Sequence, residues 1–178
     1  GTSSLLMNKL KIRSPIQTFP LQAMVSQPFK PFLNPLVSSS ALHCYVQQTS
    51  RGEIVFGGGS DPYPLYNTRS TLDLKESLLA HAIEMFPFMA NVKLMRQWAG
   101  MTDMTPDYSP IMGQSPYDNY YLDAGWGTWG FKATPICGKT MAELVATGRT
   151  PDLIKPFELS RFSRFQQVNE MGATAASH

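Results

Sequence analysis

Apolar and polar residues alternate with a period of two in two parts of the chain. Residues 21–25 alternate within a stretch that prolines interrupt repeatedly. Residues 43–48 and 53–56 read as two strands around a turn that contains Gly52. Because successive side chains of a strand point to opposite faces, this pattern predicts a strand in the first stretch and a hairpin in the second. Two further strands are predicted at residues 92–98 and 120–124.

Two longer segments show the apolar spacing of helices instead. A helix is predicted to begin at Ser70, where Asp73 completes a capping box, and to end at Pro87. A second helix is predicted to begin at Thr134 as its N-cap, with Pro135 in its first turn, and to end at Gly148.

The ends of the chain complete the pattern. Residues 3–11 form a short helical stub, and the residues after Pro156 form a tail rich in phenylalanine and leucine that is expected to pack on the rest of the chain. Strands and helices therefore come in mixed order. We predict an α+β fold, with a mixed or antiparallel sheet and flanking helices.

Composition narrows the possible partners. The chain has 178 residues, a formal net charge of +2 and only 16% charged residues. A charge so close to balance cannot neutralise many phosphates, so we expect no nucleic-acid partner. No apolar run approaches the roughly 18 residues of a membrane span, and the first residues lack the features of a signal peptide. With only two cysteines, a cytoplasmic protein without membrane association is predicted.

The glycines of residues 125–130 have the G-x-G-x-x-G spacing of dinucleotide-binding loops. Because the helix is predicted to begin four residues after Gly130, with no strand after it, a self-contained mononucleotide fold is disfavoured. The backbone N–H groups of residues 136–138 and the side chain of Lys132 instead favour a small positive pocket for an anion or an electron-rich ring. An ordinary tight turn with a solvated lysine is the alternative.

Other chemistry has weaker support. The three histidines and two cysteines show no spacing typical of metal ligands, so no metal site is predicted. No serine lies in a nucleophile elbow. Aromatic residues gather around the glycine loop, either as ordinary core or as walls for a planar ring; they are Trp98, Trp126, Trp129 and Phe131.

Several segments together resemble one protein family, the beta subunit of heterotetrameric sarcosine oxidase, a flavoprotein of the glycine oxidase and D-amino-acid oxidase type. They span nearly the whole chain, and they are residues 22–31, 51–57, 84–87, 96–100, 105–113, 125–135 and 172–178. The resemblance begins in the middle of the family's sequence. It implies that this chain corresponds to the carboxyl-terminal half, without the amino-terminal half that holds the ADP moiety of FAD and the covalent FMN.

The resemblance also implies a division into domains. Residues 1–14 would be a remnant of the FAD domain, and residues 15–113 would form the substrate domain. Residues 114–150 would be the last strand, loop and helix of the FAD domain, and residues 151–178 a carboxyl-terminal tail.

The activity that the resemblance implies is the oxidative demethylation of sarcosine to glycine, with FAD accepting a hydride and a small amino acid as substrate. Lys132 would be the catalytic-site lysine that binds the substrate carboxylate, with Trp129 beside it. The cofactor-binding residues would lie along the isoalloxazine ring, and they are Gly125, Trp126, Gly127, Thr128, Gly130, Phe131 and Lys132.

Two positions depart from the family pattern. The family usually has glycine where this chain has Trp129, and the bulky indole is expected to alter the substrate pocket. The monomeric relatives bond FAD through a cysteine near the position of Gly100, and its absence here agrees with non-covalent FAD. Two alternatives remain open: a fragment of a related dimethylglycine or D-amino-acid oxidoreductase, and a non-catalytic interaction module.

The implied truncation leads to expectations for the isolated chain. We expect it to be inactive, to carry no tightly bound FAD and to form a homo-oligomer through apolar surface left uncovered. The full-length form is expected to assemble with other subunits into a hetero-oligomer.

Overall fold

In a computed structural model, which describes residues 1–168, the chain forms two β-sheets and three α-helices, with short 3-10 helices between and after them. The helices are α1 (Ser3–Lys9), α2 (Leu72–Met85) and α3 (Gly130–Thr147). The strands are β1 (Gln17–Pro28), β2 (Val37–Ser39), β3 (Cys44–Gln48), β4 (Glu53–Ser60), β5 (Leu94–Met104), β6 (Ile111–Gln114) and β7 (Tyr121–Ala124). The 3-10 helices are Pro87–Asn91, Asp152–Phe157 and Leu159–Arg161.

The larger sheet has five strands in the order β2-β3-β4-β1-β5, and the smaller sheet consists of β6 and β7. Strand β4 pairs antiparallel with both β1 and β3, so that Val55 lies between Val25 and Gln47. The predicted hairpin of residues 43–56 is confirmed as β3 and β4. The predicted α+β class, with antiparallel pairing and flanking helices, is confirmed as well.

By its internal contacts the chain divides into two compact units. Of the described residues, the first unit comprises Gly1–Thr18 together with 102–168, and the second comprises Phe19–Met101. The sequence predicted boundaries after residues 14 and 113, and the assignment of these parts to an FAD domain and a substrate domain stays a prediction.

The second unit has a core between the large sheet and α2. Every other residue of β1 from Thr18 to Ser26 is buried, which is the alternation that the sequence pattern predicted. The buried apolar side chains of this core are Met24, Cys44, Val46, Ile54, Phe56, Leu78, Ala82 and Met89. Helix α2 covers the sheet because its apolar stripe meets these alternate strand positions.

Helix α2 begins two residues later than predicted, and the expected capping box is absent. Its N-cap residue, Thr71, makes no side-chain capping bond. The Thr71 hydroxyl instead donates to Asp61 Oδ1 at 2.7 Å, and the Thr71 backbone N–H donates to Gln22 Oε1 at 3.1 Å. Gln22 Nε2 donates in turn to Asp61 Oδ2 at 2.8 Å. A buried polar network with the sheet therefore fixes this helix end, in place of local capping.

The first unit has two smaller cores. One is formed by Met7, Ile12, Ile16, Ile111 and Leu122, and the other by Met112, Cys137, Leu144 and Ile154. The tail packs on both, as predicted: Leu159 and Phe162 contact the first core and Phe157 contacts the second. Phe165, by contrast, is 91% exposed.

Each unit contains one buried cysteine. Burial raises the pKa of the Cys44 thiol to about 11. The pKa of Cys137 is also raised, mainly by burial and further by the charge of Asp123. Both cysteines are free thiols.

Within residues 1–168, no helix is long and apolar enough to cross a membrane. The same residues contain no group of three or more His, Cys, Asp or Glu side chains placed to hold a metal ion. The family-like segment 172–178 lies outside the described residues.

Candidate functional site

The glycine loop, residues 125–129, connects the end of β7 to the start of α3. Gly125 and Gly127 both have positive φ angles, +73° and +52°. A Cβ added at Gly125 would lie 2.6 Å from Thr105 Cγ2, and one added at Gly127 would lie 2.7 Å from Met104 Sδ. Glycine is therefore required at both positions by conformation and by close packing against residues 104–105.

Hydrogen bonds hold the loop on both sides. The Gly127 N–H donates to the carbonyl oxygen of Asp103 at 2.8 Å. The Trp126 indole N–H donates to Asp123 Oδ1 at 2.6 Å, and the Trp129 N–H donates to the Trp126 carbonyl oxygen at 2.9 Å. The loop backbone is thus bonded to β5 and to itself, and the Trp126 side chain is bonded to β7, all within the first unit.

The first turn of α3 presents the exposed groups of the site. Lys132 is exposed, and its ammonium nitrogen lies 4.3 Å from the ring centroid of Trp129. Phe131 is 97% exposed, and Thr128 is exposed as well. The two residues predicted to bind substrate, Lys132 and Trp129, are therefore in contact through a cation–π interaction. Their roles toward a ligand stay predictions.

The predicted anion pocket at residues 136–138 is wrong, because α3 begins at Gly130 and not at Thr134. The amides of these residues lie inside the helix, where backbone carbonyls accept their hydrogen bonds. Thr134 does not cap the helix; its hydroxyl donates to the Gly130 carbonyl oxygen at 3.1 Å. Pro135 lies inside the helix rather than at its first position. The amides that have no acceptor within a helix are those of its first turn, which here lie around Phe131 and Lys132.

With this earlier start, the helix opens within the G-x-G-x-x-G motif, which removes one of the arguments against a dinucleotide loop. The topology still differs from a mononucleotide fold. Strand β7 pairs antiparallel with β6, and no strand follows α3 in residues 1–168. The described part of the chain therefore contains no parallel strand–helix–strand unit after the motif.

The first unit contains a buried ion pair, between Arg161 and Asp107, that was not predicted from the sequence. Arg161 is 1% exposed, and its Nε and Nη2 donate to the two carboxylate oxygens of Asp107 at 2.8 and 2.9 Å. Nη2 also donates to the carbonyl oxygen of Ser109 at 2.8 Å, and Nη1 donates to that of Phe157 at 2.8 Å. The sequence offered one signal: Arg161 is a lone basic residue between the apolar Leu159 and Phe162.

The electrostatics of this pair favour the ionised carboxylate. Burial acts to raise the pKa of Asp107, but the hydrogen bonds and charge of Arg161 and the backbone N–H of Val168 outweigh it, so that the pKa is lowered. The two charges therefore persist together inside the protein at neutral pH.

Thr102, in β5, has a buried hydroxyl that makes no hydrogen bond to any of residues 1–168. An unsatisfied buried polar atom costs free energy, and valine has nearly the same shape without it. We expect Thr102→Val to raise the free energy of unfolding by about 1 kcal/mol in urea denaturation. The control, Thr102→Ser, keeps the hydroxyl, loses the methyl group and should be less stable than the wild type. A less stable Thr102→Val protein would show that the hydroxyl has a partner in solution.

Comparisons with known proteins place this geometry in a family. The family described as DAO, FAD dependent oxidoreductase, matches residues 1–144. The chain is 42% identical over its full length to the sarcosine oxidase subunit beta of Rhodobacter capsulatus and 40% identical over its full length to that of an Arthrobacter species. It spans only 43% and 44% of these proteins, which is less than half of their length. The predicted resemblance is confirmed.

Solved structures show the same fold. L-proline dehydrogenase from P. horikoshii superposes with a TM-score of 0.84 at 29% identity, over 94% of this chain and 46% of that protein. Glycine oxidase from Geobacillus kaustophilus superposes with a TM-score of 0.79 at 22% identity, over 89% of this chain and 42% of that protein. The fold predicted from the resemblance is confirmed, and the chain belongs to the DAO family of FAD-dependent oxidoreductases.

Proposed function

We propose that this chain is the carboxyl-terminal part of an FAD-dependent amine oxidoreductase of the sarcosine oxidase beta type, which converts sarcosine to glycine by oxidative demethylation. The observation that carries the proposal is the exposed Lys132 ammonium beside a glycine loop of fixed backbone. Identity of about 40% to two sarcosine oxidase beta subunits supports it. The proposed activity belongs to a longer protein, of which this chain supplies less than half.

The residues of the loop fit the ring end of a flavin. One side of the loop packs on Met104 and Thr105. On α3, Phe131 is almost fully exposed and offers an apolar surface, and the first-turn N–H groups around Lys132 can donate to ring oxygens or to N1 or N5. When bound, FAD supplies the hydride acceptor of the reaction. We propose that the ring is held by Gly125, Trp126, Gly127, Thr128, Gly130, Phe131 and Lys132.

Lys132 would bind the substrate carboxylate. Its ammonium lies against the Trp129 indole, which leaves N–H donors directed away from the ring for an anion. An amino acid held by its carboxylate at this point has its amine and N-methyl group fixed in direction, and that orientation is what the protein contributes to the reaction. We propose that Trp129 forms one wall of the substrate position.

The proposal also assigns a role to each of the two units of the chain. We propose that the unit with α3 belongs to the FAD domain and that the unit with the five-stranded sheet is the substrate domain. The full-length protein would assemble with other subunits. The isolated chain would not retain FAD through purification, because the pyrophosphate-binding loop of such proteins would lie in the part that it lacks.

Lys132→Met in the full-length protein tests the proposal. Loss of one carboxylate–ammonium contact should cost about 2–4 kcal/mol, which corresponds to a KM for sarcosine raised about 30- to 1,000-fold. Steady-state peroxide production measures it. Lys139→Met removes another exposed lysine of α3 and should leave KM within about twofold. An unchanged KM in Lys132→Met would contradict the assignment of Lys132.

Trp129 favours dimethylglycine or a D-amino acid as a second candidate substrate. Its large indole lies beside the Lys132 ammonium and alters the space available to the amine of a bound substrate. The same assay should therefore rank sarcosine, dimethylglycine and D-amino acids by kcat/KM. A higher value for dimethylglycine or a D-amino acid than for sarcosine would transfer the proposed activity to that substrate and leave the role of Lys132 in place.

A further inference from the structure

Arg161 uses all of its hydrogen-bond donors on one small part of the first unit. Its five N–H bonds go to both carboxylate oxygens of Asp107 and to the carbonyl oxygens of Ser109, Phe157 and Glu158. The guanidinium also stacks on the ring of Phe162, 4.1 Å from its centroid. A planar group with five directed donors fixes the positions of its partners more narrowly than apolar packing does.

Two of the residues that Arg161 contacts, Asp107 and Ser109, belong to the turn that supports the glycine loop, and the other two, Phe157 and Glu158, lie in the tail itself. Within this turn the Thr105 hydroxyl donates to the Ser109 carbonyl oxygen at 2.7 Å, which is the same oxygen that accepts from Arg161. The Ser109 N–H donates to Asp107 Oδ1 at 3.2 Å. The guanidinium therefore contacts the turn at Asp107 and Ser109, and the hydrogen bonds within the turn link both residues to Thr105.

Thr105 connects this turn to the glycine loop. Its methyl carbon Cγ2 lies against Gly125, where there is no room for even one added carbon. Two residues before Thr105, the carbonyl oxygen of Asp103 accepts from the Gly127 N–H. Contacts thus run without a gap from Arg161 through the turn to the loop, and every one of them lies inside the first unit.

We propose that Arg161 is a positioning residue for the glycine loop: it acts through Asp107, Ser109 and Thr105 to hold Gly125 and Gly127 in place. The importance of this role for catalysis rests on the proposed function, in which the loop contacts the flavin and leads into the first turn of α3, where Lys132 lies. The positioning itself is a property of this chain and is measurable without any cofactor.

The simpler alternative is that Arg161 only anchors the tail. The tail already has apolar anchors, because Leu159 and Phe162 pack on the core of Met7 and Ile111. Well-packed apolar residues of similar volume often replace a buried ion pair without loss of stability, so anchoring the tail does not require an arginine. Anchoring of the tail alone does not require the bonds from Arg161 to Asp107 and Ser109, whereas positioning of the turn beneath the loop does.

Amide hydrogen exchange of the chain, followed at the Gly127 N–H by NMR, tests the proposal. We expect Arg161→Met and Asp107→Asn to increase the exchange rate of this amide at least tenfold under conditions well below the unfolding transition. The matched control is Leu159→Ala, which removes a tail contact from the same 3-10 helix and keeps the ion pair. It should change the Gly127 rate less than twofold.

Chemical rescue separates the guanidinium from the tail. In Arg161→Ala, millimolar methylguanidinium should restore the slow exchange of Gly127 because it refills the donor positions, and tetramethylammonium should not. Should the methionine and alanine variants fail to fold, Arg161→Lys and Asp107→Asn give the same comparison, with faster exchange expected in both.

Equal acceleration in Leu159→Ala and Arg161→Met, or none in either, would overturn the proposal. So would acceleration in Arg161→Ala that methylguanidinium leaves unchanged. None of these outcomes depends on flavin or substrate, so a failure of the proposed function, seen in the KM of Lys132→Met, is distinguishable from a failure of this inference.

Discussion

Arg161→Met is expected to lower the free energy of unfolding by about 3–5 kcal/mol at pH 7, because it leaves the Asp107 carboxylate buried without its cation. Arg161 and Asp107 are both almost inaccessible to water, so solvent cannot replace the lost partner. Urea denaturation followed by tryptophan fluorescence measures the change, since Trp126 and Trp129 lie in the same unit.

The double variant provides the control. Arg161→Met combined with Asp107→Leu removes both charges and should recover most of the lost stability. A double variant as unstable as the sum of the two single variants would contradict the ion-pair explanation and would indicate that shape alone matters at this position.

The same pair makes stability depend on pH. The folded-state pKa of Asp107 is lowered, so its contribution is fully present above the unfolded pKa of about 3.9 and is lost as the pH falls through the folded value. We expect the wild type to lose stability below about pH 4 more steeply than the double variant. Equal slopes would contradict the role of Asp107, because the remaining carboxylates are common to both proteins.

Gly57→Ala is expected to destabilise the five-stranded sheet by about 2–3 kcal/mol. A Cβ at this position would lie 2.6 Å from the carbonyl oxygen of Gln22 and 3.0 Å from Ala23 Cα, both backbone atoms of the paired strand β1. Neither can move without shifting the register pair Ala23–Gly57. Thermal unfolding followed by circular dichroism measures the effect.

Gly100→Ala is the matched control, because this glycine lies in β5 of the same sheet and an added Cβ would meet nothing within 4 Å. Alanine there should be neutral or stabilising by up to about 1 kcal/mol, since it reduces the entropy of the unfolded chain. Equal losses at both positions would show that Gly57 matters for a reason other than the approach of the two strands.

The existence of the helices and strands was predicted from the sequence more accurately than the residues at which they begin. The hairpin, both longer helices and the stop of α3 at Gly148 follow from apolar periodicity and from glycine in the left-handed conformation. Both predicted helix starts were wrong. Ser70 lies outside α2, whose N-cap residue is Thr71, and the Thr71 hydroxyl donates to Asp61 instead of capping the helix. Thr134 lies inside α3, where its hydroxyl donates to the Gly130 carbonyl oxygen.

The candidate site was predictable only in its local part. The glycine loop and Lys132 are contiguous in sequence, so a motif and a family resemblance were enough to propose them. The Arg161–Asp107 pair joins residues 54 positions apart, and no periodicity relates a tail to a turn at that distance. Strand β2, with three residues, is too short for its alternation to be recognised.

The reactivity of the two buried cysteines reports the unfolding of each unit separately. Cys44 lies in the core of the unit with the five-stranded sheet, and Cys137 lies in a core of the other unit. Because only the thiolate reacts with alkylating agents and burial disfavours it, each cysteine becomes reactive only when its own surroundings open. Peptide mapping after a timed pulse of iodoacetamide therefore reports, in one experiment, whether the two units unfold together or one before the other.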